Sequence, residues 1–165
     1  EPINIFLKSF KKTKPESEKQ TIYSMNKKIM NKTFKFEIFP YIIDILKFLK
    51  NKNINLALVT GANKDLAREV VKRKFHNYFD IVISSGDVKK CKPDPEPYLV
   101  ALEKLNISSD EALVVENAPL GIKSSKGAEI KTLALTTTLD KKYLQEADRV
   151  FESHEDLFLY FKELF

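Results

Sequence analysis

The apolar positions along the chain follow two rhythms. Up to about residue 36 they recur at helix spacing. Ile3, Ile5, Phe6, Leu7 and Phe10 cluster ahead of a Lys-rich turn at Pro15, and Ile22, Met25, Ile29 and Met30 mark a second stretch with Ser17 near its start. Two such helices, each with an apolar face in need of a partner, read as half of a small antiparallel bundle. Phe34, Phe36, Ile38 and Phe39 then lead into Pro40 as an extended connector.

After Pro40 helices and strands alternate. Ile42, Ile43, Ile45, Leu46 and Leu49 predict an amphipathic helix ending near Asn53, and residues 55–60 (NLALVT) predict a buried strand that stops at Gly61. Helices are expected over 64–76, 95–105 and 119–128, and strands over 81–84, 112–116, 131–135 and 149–151. A last amphipathic helix carries Leu157, Phe158, Phe161 and Leu164. Near-continuous apolar strands separated by helices imply an α/β fold, a Rossmann-like parallel sheet with helices on both faces. Right-handed crossovers then gather the C-terminal ends of the strands along one edge, where such folds bind ligands. The chemistry is expected just after NLALVT and just after ALVVE.

Composition narrows the classes. With 43% apolar and 31% charged residues, the 165-residue chain has the balance of an ordinary globular domain. No apolar run approaches the roughly 20 residues of a membrane-spanning helix, and no signal-peptide pattern opens the chain. The net charge of +5 comes mostly from lysines that alternate with acids on predicted helices, so solvated faces are expected and no nucleic-acid partner. Cys91 is the single cysteine, which excludes an internal disulfide and a Cys-rich zinc site and suits a cytoplasmic setting. His76 and His154 lack metal-ligand spacing and read as surface or packing residues.

Three spacings carry candidate chemistry. Thr60, Gly61, Ala62 and Asn63 form a strand-to-helix turn in which a hydroxyl and free amides at a helix start attract an anion. Cys91-Lys92-Pro93-Asp94-Pro95 sets a lysine in a stiff loop, where its ammonium is aimed at lower entropic cost than on a free surface. Glu116 and Asn117 close the strand ALVV with two oxygen donors suited to a hard cation such as Mg²⁺. The plain alternatives are an ordinary Thr-Gly turn, a surface lysine, and Asn117 as N-cap of the helix that Pro119 opens.

The order of these strings resembles the haloacid dehalogenase superfamily, in particular its phosphoglycolate phosphatase and beta-phosphoglucomutase branch with a helical cap. The resemblance covers nearly the whole chain. It rests on Leu-Ala-Leu-Val-Thr-Gly, Lys-Pro-Asp-Pro and Val-Val-Glu-Asn-Ala-Pro-Leu-Gly. It implies that residues 1–36 are part of the cap and residues 37–165 the core. It also implies phosphate binding by Thr60, Gly61, Ala62, Asn63 and Lys92, with Thr60 and Lys92 catalytic. Mg²⁺ would be held by Glu116 and Asn117, and the substrate would be a small phosphorylated metabolite.

Several features depart from that pattern. The family's nucleophile lies in an Asp-x-Asp motif after a first core strand, and no such motif exists here. The resemblance places that strand centrally, between NLALVT and ALVVE, so a longer parent or a partner chain is expected to complete the sheet. The chain alone is expected to be inactive. Asn117 stands where the family usually has Asp. In Gly127-Ala128-Glu129 the glycine is shifted, so Glu129 is expected to be left-handed at the helix end. Two other readings remain open: a non-catalytic phosphate-binding fragment, and a phosphoacceptor receiver domain. Against the receiver stand the helical segment before Pro40 and the Glu116-Asn117 pair after the lysine, because receivers carry their acidic cluster before both the Thr and the Lys.

Overall fold

The computed structural model describes residues 38–75 and 78–165. The expected cap helices, the Ser17 cap and His76 lie outside the described residues. Residues 38–165 form a compact unit of their own. Its elements alternate as the periodicity predicts: α1 (Ile42–Asn51), β1 (Ala57–Val59), α2 (Lys64–Val70), β2 (Ile81–Ile83), α3 (Glu96–Leu105), β3 (Leu113–Glu116), α4 (Pro119–Gly127), β4 (Lys131–Leu135), β5 (Arg149–Phe151) and α5 (His154–Leu164). The helix expected over 64–76 keeps α-geometry only to Val70 and continues as a π-turn over Val71–Phe75. Short 3-10 turns at Ser109–Glu111 and Lys141–Tyr143 escaped the periodicity because a single turn is too short to show one.

Strand β1 pairs with β2, and β3 pairs with β4 and β4 with β5, every pair parallel. Among the described residues no ladder joins β1 to β3, so each keeps one edge without a strand. Val115, in β3, is 41% exposed, whereas parallel strands are usually buried on both faces. Helix α3 bridges the two sheet fragments. Tyr98 and Leu102 pack with Val59 of β1 and with Val114 of β3 in one cluster.

Strand β4 divides the core. Leu133 and Leu135 face α1 and α5 through Ile45, Leu49, Leu157 and Phe161, while Ala134 meets Ile122 of α4 and Leu144. Alternation along a strand sends successive side chains to opposite faces, so both faces of β4 are covered. Thr132 is buried at the start of β4, and its hydroxyl meets Ser125 of α4 at 2.7 Å.

One device recurs at the N-terminal ends of the strands. Asp80 precedes β2, accepts the Leu56 amide at 2.7 Å, and pairs with Lys50 at 2.9 Å. Asp148 precedes β5, accepts the Thr132 amide at 2.6 Å, and pairs with Lys126 at 2.7 Å. In both cases a lysine near a helix end and a strand amide hold the carboxyl below its ordinary pKa, the lysine contributing most. Each aspartate ties a strand's start to its neighbour.

Helix termini follow local chemistry. Ser153 caps α5 by accepting the Asp156 amide, and Asn106 ends α3 in the left-handed conformation. Glu129, just past α4, has φ 59°, as the shifted glycine predicts. His154 stacks on Phe39 with ring centroids 5.0 Å apart, and burial lowers its pKa, which agrees with a packing role. Among the described residues no helix is long and apolar enough to cross a membrane.

Candidate functional site at the strand ends

The three strings singled out in the sequence all lie beyond the C-terminal ends of β1 and β3. The Lys92 loop is built to present its ammonium. Glu96 reaches back and accepts the amides of Lys89 at 2.7 Å and Lys90 at 2.9 Å. Asp94 accepts the Glu96 amide at 3.0 Å, and its carbonyl takes the Ser124 hydroxyl of α4 at 2.5 Å. The Lys92–Pro93 peptide is cis. Held in this way, Lys92 donates to the carbonyl of Val59 at 3.1 Å and pairs with Glu116. Its side chain is 16% exposed and that of Glu116 10%, so the pair is largely withdrawn from solvent.

Both Glu116 oxygens are occupied. Oε1 accepts from Lys92 and, at 2.6 Å, from the hydroxyl of Tyr98, while Oε2 accepts the amide of Asn117 at 3.1 Å. The Lys92 ammonium also stands 4.8 Å from the centre of the Tyr98 ring. Tyr98 is buried, and desolvation, reinforced by the Glu116 charge, pushes its phenol pKa far up, so it serves as a donor. Sequence reading passed over Tyr98. The available signal was an aromatic with a hydroxyl on the buried face of the helix that follows Lys92.

At the end of β1, Thr60 stays in register through its amide, which donates to the Ile83 carbonyl at 2.9 Å. Its Oγ1 accepts the Ala62 amide at 3.1 Å, which leaves the hydroxyl hydrogen for an outside acceptor. The Ala62 amide, expected as a free phosphate donor, is thus already engaged by Thr60. Gly61 faces open space: a Cβ there would meet nothing within 4 Å. Asn63 caps α2 through its side-chain oxygen, accepting the Leu66 amide at 3.0 Å, so only its amide group is left for a ligand.

A neighbouring loop braces this turn. The Ser85 amide donates to the Ala62 carbonyl at 3.0 Å, and Lys64 pairs with Asp87 at 2.8 Å. Asp87 also accepts the amide and hydroxyl of buried Ser84, at 3.0 and 2.5 Å. Lys64 first, then Ser84, holds the Asp87 carboxyl far below the ordinary range.

Asn117 does not cap α4. The cap position belongs to Ala118, whose side chain has no oxygen, and the Asn117 amide group instead donates to the Thr137 hydroxyl at 3.0 Å. That bond turns the Asn117 nitrogen toward Thr137 and leaves its carbonyl oxygen for another partner. The donor set at this strand end is a carboxylate and an amide oxygen, both hard ligands that suit Mg²⁺, which takes six oxygens in all. Among the described residues no group of three or more His, Cys, Asp or Glu side chains is placed to hold a metal. Glu116 and Asn117 would therefore supply only part of a coordination shell.

Comparisons with known proteins place the chain by sequence and by fold. The family described as haloacid dehalogenase-like hydrolase matches residues 2–135. The phosphorylated carbohydrates phosphatase of Thermotoga maritima is 33% identical over 138 residues, 82% of this chain and 63% of its own length. Validoxylamine A 7'-phosphate phosphatase of Streptomyces hygroscopicus subsp. limoneus is 36% identical over 107 residues, 64% of this chain and 50% of its own length. Among solved structures, the "putative beta-phosphoglucomutase" of Bacteroides vulgatus superposes with a TM-score of 0.81 at 33% identity, covering 94% of this chain and 65% of that one. The chain thus spans less than two thirds of the length of each of these three relatives. A family match over residues 2–135, with a relative 33% identical over 82% of the chain, places the chain in the haloacid dehalogenase-like hydrolase family.

Proposed function

We propose that this chain is the greater part of a Mg²⁺-dependent phosphoryl-transfer enzyme, a phosphatase or phosphomutase acting on a small phosphorylated metabolite. The observation that carries the reading is the position of Lys92. Its ammonium spans from the β1 terminus to the β3 terminus, between the Thr60 turn and the Glu116-Asn117 pair. Phosphoryl transfer needs mainly positioning and neutralisation of charge on the phosphoryl oxygens, and a pinned, largely desolvated ammonium supplies both.

In this reading the Thr60 hydroxyl and the Gly61 amide bind the phosphoryl oxygens, with the Asn63 amide group close by. Lys92 offsets the negative charge of phosphate and nucleophile. Glu116 and Asn117 hold Mg²⁺, which supplies Lewis-acid neutralisation of phosphoryl charge when bound. Residues 1–36 provide part of a helical cap and residues 37–165 the core. A sugar phosphate or a phosphoglycolate-like compound is the favoured substrate, in a cytoplasmic setting. The names of the relatives, a phosphatase of phosphorylated carbohydrates among them, support a carbohydrate phosphate.

The nucleophile in this reading is an aspartate carboxylate from outside the 165 residues. It attacks phosphorus while a second aspartate of the same outside segment protonates the departing oxygen. That second carboxylate then takes the proton of water or an acceptor hydroxyl, which receives the phosphoryl group and frees the first aspartate. Two observations support this. The first aspartate in the sequence is Asp44, in α1, so residues 1–37 cannot supply one. The edges of β1 and β3 that no described strand pairs leave backbone groups for an additional parallel strand, and unpaired buried groups are costly.

The test assays inorganic phosphate release, with Mg²⁺ and a panel of sugar phosphates and phosphoglycolate. It compares the 165-residue chain with the same chain extended by any coding sequence that precedes it. Activity only in the extended form is the expected result. Activity in the chain alone would remove the outside nucleophile. Inactivity of both, with phosphate still bound, would favour a non-catalytic phosphate-binding module.

A further inference from the structure

Glu116, the last residue of β3, makes a demand on the helix that follows it that the proposed chemistry does not explain. Its side chain folds back over the first turn of α4, where Gly121 sits buried. A Cβ built on Gly121 would overlap the Glu116 carboxylate carbon and both of its oxygens, far inside any real contact. The other glycine of this helix behaves differently. A Cβ on Gly127 would meet only Pro95, at 3.4 Å and beyond, an ordinary contact. Gly121 has no left-handed backbone to accommodate, because among the described residues no glycine has positive φ. Its role here is to leave the space that the carboxylate fills.

The opposite side of that space is closed by Tyr98. Its hydroxyl meets Glu116 Oε1 at 2.6 Å, and the phenol comes from α3, which packs against α4. The carboxylate is thus held between a missing methyl group on one helix and a phenol on the next, with Lys92 on the same oxygen as the phenol.

We propose that Gly121 and Tyr98 are positioning residues for Glu116, Gly121 by the space of its absent Cβ and Tyr98 by its hydroxyl, and that together they fix the carboxylate against Lys92. This inference rests on the phosphoryl-transfer reading only for its functional consequence; the geometry stands without it. Outer partners that orient a metal-ligating carboxylate typically change metal affinity by about 10–100-fold when removed. Tyr98→Phe keeps the ring beside Lys92 and removes only the donor.

The experiment compares the wild-type chain with Gly121→Ala, Gly127→Ala, Tyr98→Phe, Glu116→Asp and the double variant Gly121→Ala/Glu116→Asp. Two readouts are taken: Mg²⁺ affinity by calorimetry, and the proton NMR signal of a slowly exchanging phenol hydroxyl, assigned by its loss in Tyr98→Phe. Expected results are loss of that signal in Gly121→Ala, with Mg²⁺ binding about 10-fold weaker or more, as for a removed orienting group. Tyr98→Phe should weaken Mg²⁺ binding in the same direction, and Gly127→Ala should change neither readout. Aspartate is one methylene shorter, so Gly121→Ala should add little in the Glu116→Asp background.

A retained hydroxyl signal in Gly121→Ala would overturn the proposal, as would an equal effect of that change in both backgrounds. If Gly121→Ala does not fold, the double variant must, and its failure to fold would also overturn it. Absence of Mg²⁺ binding in the wild type would count against the metal reading. The hydroxyl signal would still decide the positioning.

Discussion

Lys92 and Glu116 stand 24 residues apart in the chain and form one ion pair across the ends of β1 and β3. The lysine comes from a loop pinned by Glu96 and Ser124, the glutamate from the last position of β3. Neither partner belongs to the other's element, so the pair links the two sheet fragments where no ladder does. That position makes Lys92 the residue whose loss should cost most.

Lys92→Ala is expected to lower turnover of the active protein by about 10²–10³-fold, the usual loss when one preorganised charge donor is removed. The fold should persist, since Glu116 keeps the Tyr98 hydroxyl and the Asn117 amide as donors. Steady-state phosphate release alongside far-UV circular dichroism checks both halves. Activity like that of the wild type would remove the site assignment.

Asn117→Asp should tighten Mg²⁺ binding, because it adds a negative charge to a site whose present donors are one carboxylate and one neutral amide. A gain of about tenfold in affinity corresponds to roughly 1.4 kcal/mol. The Thr137 hydroxyl, which now accepts from Asn117, can rotate and donate to the new carboxylate. Calorimetric titration of both forms gives the answer, and equal affinity would mean that position 117 does not face the cation.

Asp87→Asn should destabilise the chain at neutral pH by about 1.5–3 kcal/mol, the range for hydrogen bonds to a charged group. It removes the charge that Lys64 and Ser84 share. The sign with pH is definite. Asp87 has a lowered folded pKa, so its contribution is complete above the unfolded value of about 4 and drains as pH falls through the folded value. Urea melts of the two proteins should differ at pH 7 and converge in strong acid. A constant gap across that range would contradict the role.

Glu129→Gly should stabilise the chain by about 1 kcal/mol, because a left-handed residue with a Cβ carries a cost that glycine does not. Glu129 is exposed at φ 59°, one residue past the Ala128 cap of α4. A higher urea midpoint with an unchanged slope is the expected signature. An unchanged or lower midpoint would show that the backbone is relaxed as it stands.

The strand ends were legible in the sequence because their determinants are local. Apolar runs such as ALVV, a stop signal such as Gly61 and a helix opener such as Pro119 lie within a few positions of the elements they delimit. The left-handed Glu129 was legible for the same reason: a helix that ends without a glycine at the required position forces its neighbour into that conformation. Asn117 shows the limit. A cap was a fair reading of Asn two residues before Pro, yet Thr137, 20 residues away, takes its amide group instead.

The sequence by itself determined the alternation of helices and strands and the edge of the sheet at which Thr60, Lys92 and Glu116 would appear. These follow from periodicity and from the handedness of crossovers. The tertiary structure alone decided that Lys92 reaches the Val59 carbonyl, that Tyr98 meets the same Glu116 oxygen as Lys92, and that the Glu116 carboxylate fills the space beside Gly121. Each of these contacts joins side chains from different turns or elements, and their separation in space is set by packing rather than by any spacing along the chain.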